Sequence, residues 1–162
     1  IEPSCLLTFT DEYQKLKNVN NREKIKNKFY LLEEFILEQI KNDNKVKTNK
    51  FDQNVLIHGH CHQKSQDRMK GLTNLLSELK INNKMIDSSC CGMAGSFGYD
   101  SKNYEVSKKM ANLSLIPAIN NSDEADFIIA NGTSCRHQIS DLSHKKGKHV
   151  SELLFKIFET VN

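Results

Sequence analysis

The residues best suited to chemistry in this 162-residue sequence are cysteines, two of which are adjacent. Cys90 and Cys91 are neighbours, and Gly92 follows them. Adjacent Cα atoms are only about 3.8 Å apart, below the roughly 4.4 Å at which a disulfide becomes comfortable, so a bond between the two would be strained. Two neighbouring thiolates can instead bind one metal ion or bridge two.

Glycines recur at three-residue intervals after this pair, at Gly92, Gly95 and Gly98. Glycine adopts positive φ without steric cost, so this loop is predicted to approach a bulky metal centre closely. The spacing also resembles a phosphate loop, but neither the dinucleotide fingerprint nor the P-loop motif is present. We therefore interpret the loop as part of a metal site.

Histidines flank a third cysteine, Cys61. His58, His60 and His62 occupy alternate positions, so in an extended segment their side chains would share one side. They are candidates for metal ligands, for donors to sulfur or for groups that lower a thiol pKa. Roles other than direct ligation are favoured, including loop polarity and helix-end capping.

A fourth cysteine, Cys135, is predicted to lie just before a short helix over residues 138–142. The positive end of the helix dipole would stabilise a thiolate there, and Arg136 and His137 would add to that effect. An odd total of five cysteines, two of them adjacent, fits poorly with the paired disulfides of a small secreted protein. The pattern favours metal binding or redox chemistry in a reducing compartment.

Three short apolar segments, rich in β-branched residues, predict strands over 54–58, 84–87 and 126–130. Helical patterns separate them, and this alternation predicts an α/β fold with a small parallel sheet flanked by helices. A cysteine follows each strand. Because the carboxyl ends of parallel strands share one edge of the sheet, the thiols should converge there.

Apolar residues at helical spacing predict the helices that cover this sheet. Two stripes define the central helices: Met69, Leu72, Leu76 and Leu79, and Val106, Met110, Leu113 and Ile116. The residues expected to be buried against the sheet are Leu72, Leu76, Met110, Leu113 and Ile116. Further predictions are a helical pattern over 10–40, a surface loop over 41–52 and a terminal helix over 150–161.

Charge and hydropathy exclude several classes of function. Lys and Arg number 23 against 20 Asp and Glu, without a basic block, so nothing indicates nucleic-acid binding. No apolar run approaches the ~20 residues needed to cross a bilayer, and the N-terminus lacks a secretory signal. We expect a cytoplasmic domain that does not span the membrane, with peripheral attachment to the inner face left open.

Four separate segments resemble, in order, the cysteine-rich CCG domain found in three kinds of oxidoreductase. These are heterodisulfide reductase, anaerobic glycerol-3-phosphate dehydrogenase and the iron–sulfur component of glycolate oxidase. The segments are 2–7, 59–64, 90–99 and 132–138. The chain resembles most the C-terminal part of FAD-linked oxidases of the D-lactate or D-2-hydroxyglutarate dehydrogenase type, which carry an iron–sulfur module.

The resemblance implies that one ligand set holds an iron–sulfur cluster. Its members are Cys61, Cys90, Cys91 and Cys135. Gln138 stands where the family has a final cysteine, which argues against a five-thiolate cluster, but four thiolates suffice for a [4Fe–4S] cubane. The same four sulfurs, or three with a histidine, would also suit tetrahedral zinc. The histidines that would support the ligands from outside are His60, His62 and His137.

The resemblance also implies two parts of the chain, which together form one compact unit. Residues 1–52 correspond to the end of a preceding cysteine-rich repeat plus a helical connector, and residues 53–162 to the CCG domain. Glu2 and Cys5 occupy the positions of a closing Cys-x-x-Cys of that repeat, so Cys5 is expected to lie outside the four-cysteine site. The start at Ile1, without an initiator methionine, predicts a fragment of a longer protein.

The implied function is electron transfer within an FAD-linked 2-hydroxyacid dehydrogenase, of the D-lactate, glycolate or 2-hydroxyglutarate type. FAD would bind outside this chain. The expected partners are a flavin domain, a ferredoxin-type iron–sulfur domain and a quinone or other acceptor, and the fragment is not expected to be catalytic alone. Two alternatives stay open: a structural zinc module that docks the flavoprotein, and a thiol–disulfide reductase, against which Gln138 weighs.

Overall fold

A computed structural model of the chain describes residues 1–17, 20–26, 28–42, 47–123 and 126–158. Three short strands form one parallel sheet in the order β2-β1-β3. Their bounds are Val55–His58 for β1, Asn83–Met85 for β2 and Phe127–Ala130 for β3. The predicted α/β fold, with a small parallel sheet flanked by helices, is confirmed.

Helices cover both faces of the sheet and form the N-terminal segment. Their bounds are α1 Pro3–Leu7, α2 Arg22–Lys26, α3 Leu32–Asn42, α4 Cys61–Ser65, α5 Met69–Glu78, α6 Tyr104–Asn112, α7 Leu115–Asn120, α8 Thr133–Leu142 and α9 Val150–Ile157. Shorter helical turns are Thr8–Glu12, Tyr13–Lys15 and Phe97–Tyr99. Among the described residues, every helix is too short or too polar to span a membrane.

Alternate strand residues pack into two separate hydrophobic clusters, because successive side chains of a strand point to opposite faces. The cluster on the α5 and α9 side contains Val55, Ile57, Phe127, Ile129, Leu72, Leu75, Leu76, Val150, Leu153, Leu154 and Ile157. The cluster on the α6 to α8 side contains Ile128, Ala130, Ala111, Leu115, Ile116, Ile119, Ile139, Cys91 and Cys135. Two of the thiols are therefore part of the packed core.

The predicted helix through Val106, Met110, Leu113 and Ile116 is wrong as a single element. Helix α6 ends at Asn112, and α7 begins at Leu115. Ser114, the N-cap of α7, has a non-helical conformation. Pro117 lies in the first turn of α7, where its missing N–H is tolerated, whereas in a continuous helix it would remove a hydrogen bond and clash with the preceding turn. The proline therefore favours a new helix over an extension of α6.

This break changes which side of α6 is buried. Leu113 is 78% exposed and Val106 is 50% exposed, contrary to the predicted burial of Leu113. Met110 is only half-buried, and α6 instead turns Ser107 and Ala111 towards the core. The other three residues predicted to be core are buried: Leu72, Leu76 and Ile116.

The boundaries of other predicted elements also differ. The helical pattern over 10–40 is not one helix, because the chain is extended at Leu16 and left-handed at Asn21, with φ +62°. The predicted loop over 41–52 starts only after Asn42, and its residues 43–46 lie outside the described part. The helix predicted over 138–142 already starts at Thr133, and the terminal helix ends at Ile157, with residues 159–162 outside the described part.

Leu113 and Leu115 provide a matched test of the helix break. Leu115→Ala should lower the free energy of unfolding by about 2–5 kcal/mol, because it empties space in a fully buried site. Leu113→Ala should change it by less than ~0.5 kcal/mol, because the side chain is mostly in solvent. Urea unfolding followed by circular dichroism measures both values. Similar losses for the two variants would contradict the break.

Candidate metal centre

The four predicted ligand cysteines line one cavity of about 310 Å³ at the carboxyl edge of the sheet: Cys61, Cys90, Cys91 and Cys135. Cys61 begins α4, shortly after β1 ends at His58. The adjacent pair lies in the loop that follows β2. Cys135 lies within the first turn of α8, so the prediction that it precedes the helix is wrong by a few residues. The segments that follow all three strands thus bring thiols to the same place.

Burial divides the four thiols into two pairs. Cys91 and Cys135 are only 4% and 2% exposed, whereas Cys61 and Cys90 are half-buried. Cys5 is exposed and does not line the cavity, although its neighbour Ser4 does. The geometry therefore groups four thiols and leaves the fifth outside.

Hydrogen bonds between the thiols shift their pKa values in opposite directions. The Cys91 thiol hydrogen-bonds to Cys135 and, against the effect of burial, lowers the pKa of Cys135 to about 5. The pKa of Cys90 is lowered in the same way, mostly by the Cys61 thiol and to a smaller extent by the Cys91 thiol. The pKa values of the two donors, Cys61 and Cys91, are raised. These shifts favour the thiolate form at Cys90 and Cys135 over the thiolate form at Cys61 and Cys91.

Gly92 allows the backbone after the cysteine pair to pack tightly. Its φ is +91°, and a Cβ there would lie 2.2 Å from the carbonyl oxygen of Ser107 in α6. The amide nitrogen of Gly92 donates to Cys90 Sγ over 3.3 Å. Gln138, buried in α8, donates from Nε2 to Ser107 Oγ at 2.9 Å and to the Ser107 carbonyl at 3.3 Å. Only glycine fits between these groups.

The histidines around Cys61 do not share one side, because β1 ends at His58 and α4 begins three residues later. His60 is the N-cap of α4, where its Nδ1 accepts a hydrogen bond of 3.2 Å from the backbone N–H of His62. Burial lowers the pKa of His60, which favours the neutral ring that this cap requires. The rings of His60 and His62 lie against each other, and both line the cavity.

The third predicted supporting histidine, His137, is not at the cavity. It is exposed on α8, and its Nδ1 hydrogen-bonds to the hydroxyl of Tyr99. Residue 137 follows Cys135 by two positions in a helix, which turns the two side chains to different sides. His137 therefore does not line the cavity that contains the four thiols.

His58, by contrast, reaches the buried thiols. Its ring is 2% exposed, and one ring nitrogen lies within 4.8 Å of the Sγ atoms of Cys91 and Cys135, which also lie within that distance of each other. Its Nδ1 hydrogen-bonds to Ser88 Oγ at 2.8 Å. Its Nε2 is buried, and a hydrogen bond from His58 contributes to the lowered pKa of Cys135.

Lys64 connects the helix that bears Cys61 to the segment that precedes Cys90. Its ammonium donates to the backbone carbonyls of Ser88 and Ser89, the latter at 3.1 Å. Burial lowers the pKa of Lys64, and the thiols of Cys135, Cys61 and Cys90 act in the opposite direction. A cation therefore stands beside the thiolates and holds two of their loops together.

Glu33 forms a second connection behind the cavity. Its carboxylate is 1% exposed, and Oε1 accepts hydrogen bonds from Gln63 Nε2 at 2.7 Å and Asn131 Nδ2 at 2.9 Å. Gln63 belongs to α4, and Asn131 lies between β3 and α8, so one carboxyl group joins the segments that carry Cys61 and Cys135. Burial raises the pKa of Glu33 above its ordinary value.

Comparison with known proteins places this arrangement in a family. The model of the CCG cysteine-rich domain matches residues 55–140. The chain belongs to the CCG cysteine-rich domain family. This match contains β1 to β3 and all four thiols of the cavity, so the resemblance inferred from the sequence is confirmed.

Relatives of this CCG domain include two kinds of dehydrogenase. It is 22% identical over 158 residues to D-2-hydroxyglutarate dehydrogenase of Pseudomonas putida, covering 96% of this chain and 15% of the relative. It is 24% identical over 152 residues to one of the subunits of anaerobic glycerol-3-phosphate dehydrogenase of Escherichia coli K12, covering 93% of this chain and 38% of the relative. The chain thus spans a minor part of each relative. No solved structure matches it significantly.

Several residues that shape the CCG site could not be singled out from the sequence. Ser88, Asn131 and Glu33 are ordinary polar residues in the sequence. Only the folded chain brings their side chains into contact with the segments around the thiols. Lys64 lies in a segment that resembles the family, next to the cysteine motif, and that position was its one available signal.

Gly92 and Gly95 form a matched pair for testing the glycine loop. Both have positive φ, so alanine costs each about 1–2 kcal/mol in backbone strain. Gly92→Ala should cost a further ~1–3 kcal/mol, because its Cβ would overlap the Ser107 carbonyl, whereas a Cβ at Gly95 meets nothing within 4 Å. Urea unfolding of the metal-free variants measures the difference, and equal losses would contradict the close approach.

Glu33 should give unfolding a characteristic pH dependence. Its pKa is raised in the folded state, so the unfolded chain loses its proton first as the pH rises above the ordinary value of 4.5, and the folded state loses stability. Glu33→Gln keeps the accepting oxygen but does not ionise, so its stability relative to wild type should increase from about pH 4 to pH 7. Glu38→Gln, on the exposed side of the same helix, is the control. Parallel stability curves for wild type and Glu33→Gln would contradict the burial effect.

Proposed function

We propose that this domain holds an iron–sulfur cluster, of the [4Fe–4S] type, and transfers electrons in an FAD-linked 2-hydroxyacid dehydrogenase. The ligands would be Cys61, Cys90, Cys91 and Cys135. The observation that carries the proposal is the convergence of these four thiols on one cavity in a chain of the CCG family. The substrate would be of the D-lactate, glycolate or 2-hydroxyglutarate class.

The donor set fits such a group. Four thiolates are the ordinary ligands of a [4Fe–4S] cluster, and here all four line a cavity that is partly open on the side of Cys61 and Cys90. When bound, the cluster would supply one-electron redox chemistry. The buried pair, Cys91 and Cys135, would anchor it in the second hydrophobic cluster, where a low dielectric restrains the charge that it can carry.

The chain's own groups are suited to holding negative charge at this place. The N–H of Gly92 donates to Cys90 Sγ, and hydrogen bonds to ligand sulfurs are one determinant of cluster potential. Cys135 lies in the first turn of α8, where the positive end of the helix dipole stabilises a thiolate. Lys64 adds a cation close to three of the thiols. These groups offset the charge of four thiolates.

The names of the relatives support placing the domain in a larger dehydrogenase, as the chain spans 15% of one relative and 38% of another. Residues 1–52 would close a preceding repeat and connect it to the CCG domain over 53–162. The flavin domain and a ferredoxin-type iron–sulfur domain of the parent protein would deliver electrons from FAD. A quinone or another acceptor would receive them, in the cytoplasm or at the inner face of the membrane.

Zinc is the second candidate, favoured by a specific observation. His58, Cys91 and Cys135 offer one nitrogen and two sulfurs within 4.8 Å of one another, a combination that suits tetrahedral zinc. Such a site would order the domain and dock the flavoprotein without redox chemistry. A thiol–disulfide reductase is less well supported, because Gln138, which replaces the family's final cysteine, is buried against Ser107.

Cysteine-to-serine variants test the ligand set. Each of Cys61→Ser, Cys90→Ser, Cys91→Ser and Cys135→Ser should lose most of the bound iron and sulfide and the EPR signal of the reduced cluster, because each removes one of four thiolate ligands. Cys5→Ser should keep all three. Protein is prepared anaerobically with iron and sulfide, and iron, sulfide, visible absorbance and EPR are measured.

The parent dehydrogenase supplies the functional readout. Cys91→Ser there should leave flavin reduction by the hydroxyacid intact and abolish electron transfer to the acceptor. A normal cluster and normal turnover in Cys91→Ser would overturn the shared site. One equivalent of zinc, with no visible absorbance and no iron after anaerobic preparation, would favour the docking module.

A further inference from the structure

Helix α6 turns an apolar stripe away from the core. Leu113 is 78% exposed, Val106 is 50% exposed, and Met110 between them is half-buried. Steps of four and three residues place these three side chains, the α6 stripe, on one face of the helix, since Leu113 keeps helical dihedral angles at the C-cap. The side that faces the core carries Ser107 and Ala111 instead. The most apolar face of α6 is thus presented to solvent, whereas a helix of a globular domain ordinarily buries that face.

Other exposed apolar side chains are concentrated in the same part of the chain. Of the ten large apolar side chains that are exposed in the described residues, five lie between residues 97 and 113. They are Phe97, Tyr99, Tyr104, Val106 and Leu113. The helical turn Phe97–Tyr99 packs against α6, so the five belong to adjoining elements. Single exposed apolar residues are ordinary, but a group of them marks an interaction surface.

The helix that carries the stripe lies directly behind the loop of the cysteine pair. The Ser107 carbonyl of α6 borders Gly92, and the Ser107 hydroxyl lies 4.0 Å from the sulfur of Met93. Ala94 and Gly95 of the same loop line the thiol cavity. One loop therefore separates α6 from the thiols, and a partner on the α6 stripe would stand close to the group that the cavity holds.

Lysines accompany the stripe. Lys109 directly precedes Met110, and Lys102 lies in the turn before α6. Both are exposed and form no ion pair among the described residues, whereas Lys108 pairs with Glu105 at 3.3 Å. Covering unpaired ammonium groups with a neutral surface would leave their charges without compensation. The surface that complements the stripe is therefore apolar at its centre and carries carboxylates at its rim.

We propose that the α6 stripe is the docking surface for the electron-donating domain of the parent dehydrogenase. This inference rests on the proposed function and names the place where the donor binds. The chain spans 15% of one relative and 38% of another, so most of each relative lies outside the matched region and includes surface that could cover the stripe. Docking here brings the donor to the loop of the cysteine pair, which shortens the path of the electrons.

Zero-length cross-linking tests the contact in the unmodified parent dehydrogenase. A carbodiimide joins a lysine to a carboxylate only where the two are in contact, and mass spectrometry identifies the joined peptides. We expect Lys109 to be joined to an Asp or Glu of the electron-donating domain. Lys156, exposed beside Phe155 on α9, is the matched lysine and should form no such link. Absence of the Lys109 link, or an equal yield at Lys156, would overturn the inference.

A pair of charge substitutions tests the apolar part of the contact. Leu113→Glu and Phe155→Glu in the parent dehydrogenase both alter side chains that are mostly in solvent, at 78% and 80% exposure, and Phe155 lies on α9, which packs on the opposite face of the sheet. Leu113→Glu should slow electron transfer from flavin to cluster roughly 10-fold or more, because docking would bury an unpaired charge. Leu113→Met should restore the rate, and Phe155→Glu should leave it unchanged.

Anaerobic stopped-flow measurements follow flavin reduction by the hydroxyacid and the subsequent reduction of the cluster. Flavin reduction and the EPR signal of the cluster should be the same in wild type and in all three variants, because none of the substitutions touches the thiol cavity. Equal rates of cluster reduction in wild type and Leu113→Glu would overturn the inference. An equal loss of rate in Phe155→Glu would also overturn it.

The outcomes separate the docking surface from the proposed function. A parent protein without an iron–sulfur cluster would contradict the proposed function, whereas cross-linking needs no cluster and still shows which domain covers the stripe. A normal cluster that depends on all four cysteines, without a link at Lys109, would remove only the docking surface. Self-association of the parent protein that Leu113→Glu abolishes would overturn the proposed occupant in favour of a second copy.

Discussion

Parallel pairing of β1 with both of its neighbours is the constraint on which the thiol-lined cavity depends. Val55 is aligned with Asn83 on one side and with Phe127 on the other, so the three strands start level and end within one residue of one another. The segments after these ends carry all the thiols of the cavity. A shift of the register by one residue would exchange the faces of a strand and bring Leu56 to the side that Val55 and Ile57 occupy. The same packing that buries the sheet therefore fixes where the thiols meet.

Polar contacts between the segments around the cavity fix the relative positions of these segments more narrowly than hydrophobic packing alone does. Lys64 connects α4 to the segment before the cysteine pair, Glu33 connects α4 to the segment after β3, and Gln138 connects α8 to α6 next to Gly92. Each contact involves at least one segment that borders the cavity and none of the sulfurs. Binding sites work best when such supporting contacts hold their ligands in place beforehand. The thiol-bearing loops are thus held together independently of the group that they bind.

The strands and the meeting of the thiols could be predicted from the sequence because both depend on local signals. A strand of a parallel sheet is buried on both faces and therefore appears as a continuous apolar run, as in β3. The exposure of Leu113 could not be predicted in the same way, since an apolar stripe at helical spacing looks the same whether or not the helix breaks before Pro117. The separate roles of His58 and His60 depend on where β1 ends, and pairing with other strands decides that point. Glu33 meets Gln63 and Asn131 only through the tertiary fold.

The structure also gives a physical role to Gln138, the glutamine that stands where the resemblance implies a final cysteine. Gln138 follows Cys135 by three residues in α8, so the two side chains lie on the same side of the helix. Its amide is 3% exposed and fills the space beside Gly92 while it binds both oxygens of Ser107. A cysteine at this position would remove the amide that donates to those oxygens, and its shorter side chain would leave a gap next to the glycine. Gln138 is therefore a structural contact between α8 and α6, and the sulfurs of the cavity belong to the segments that follow the three strands.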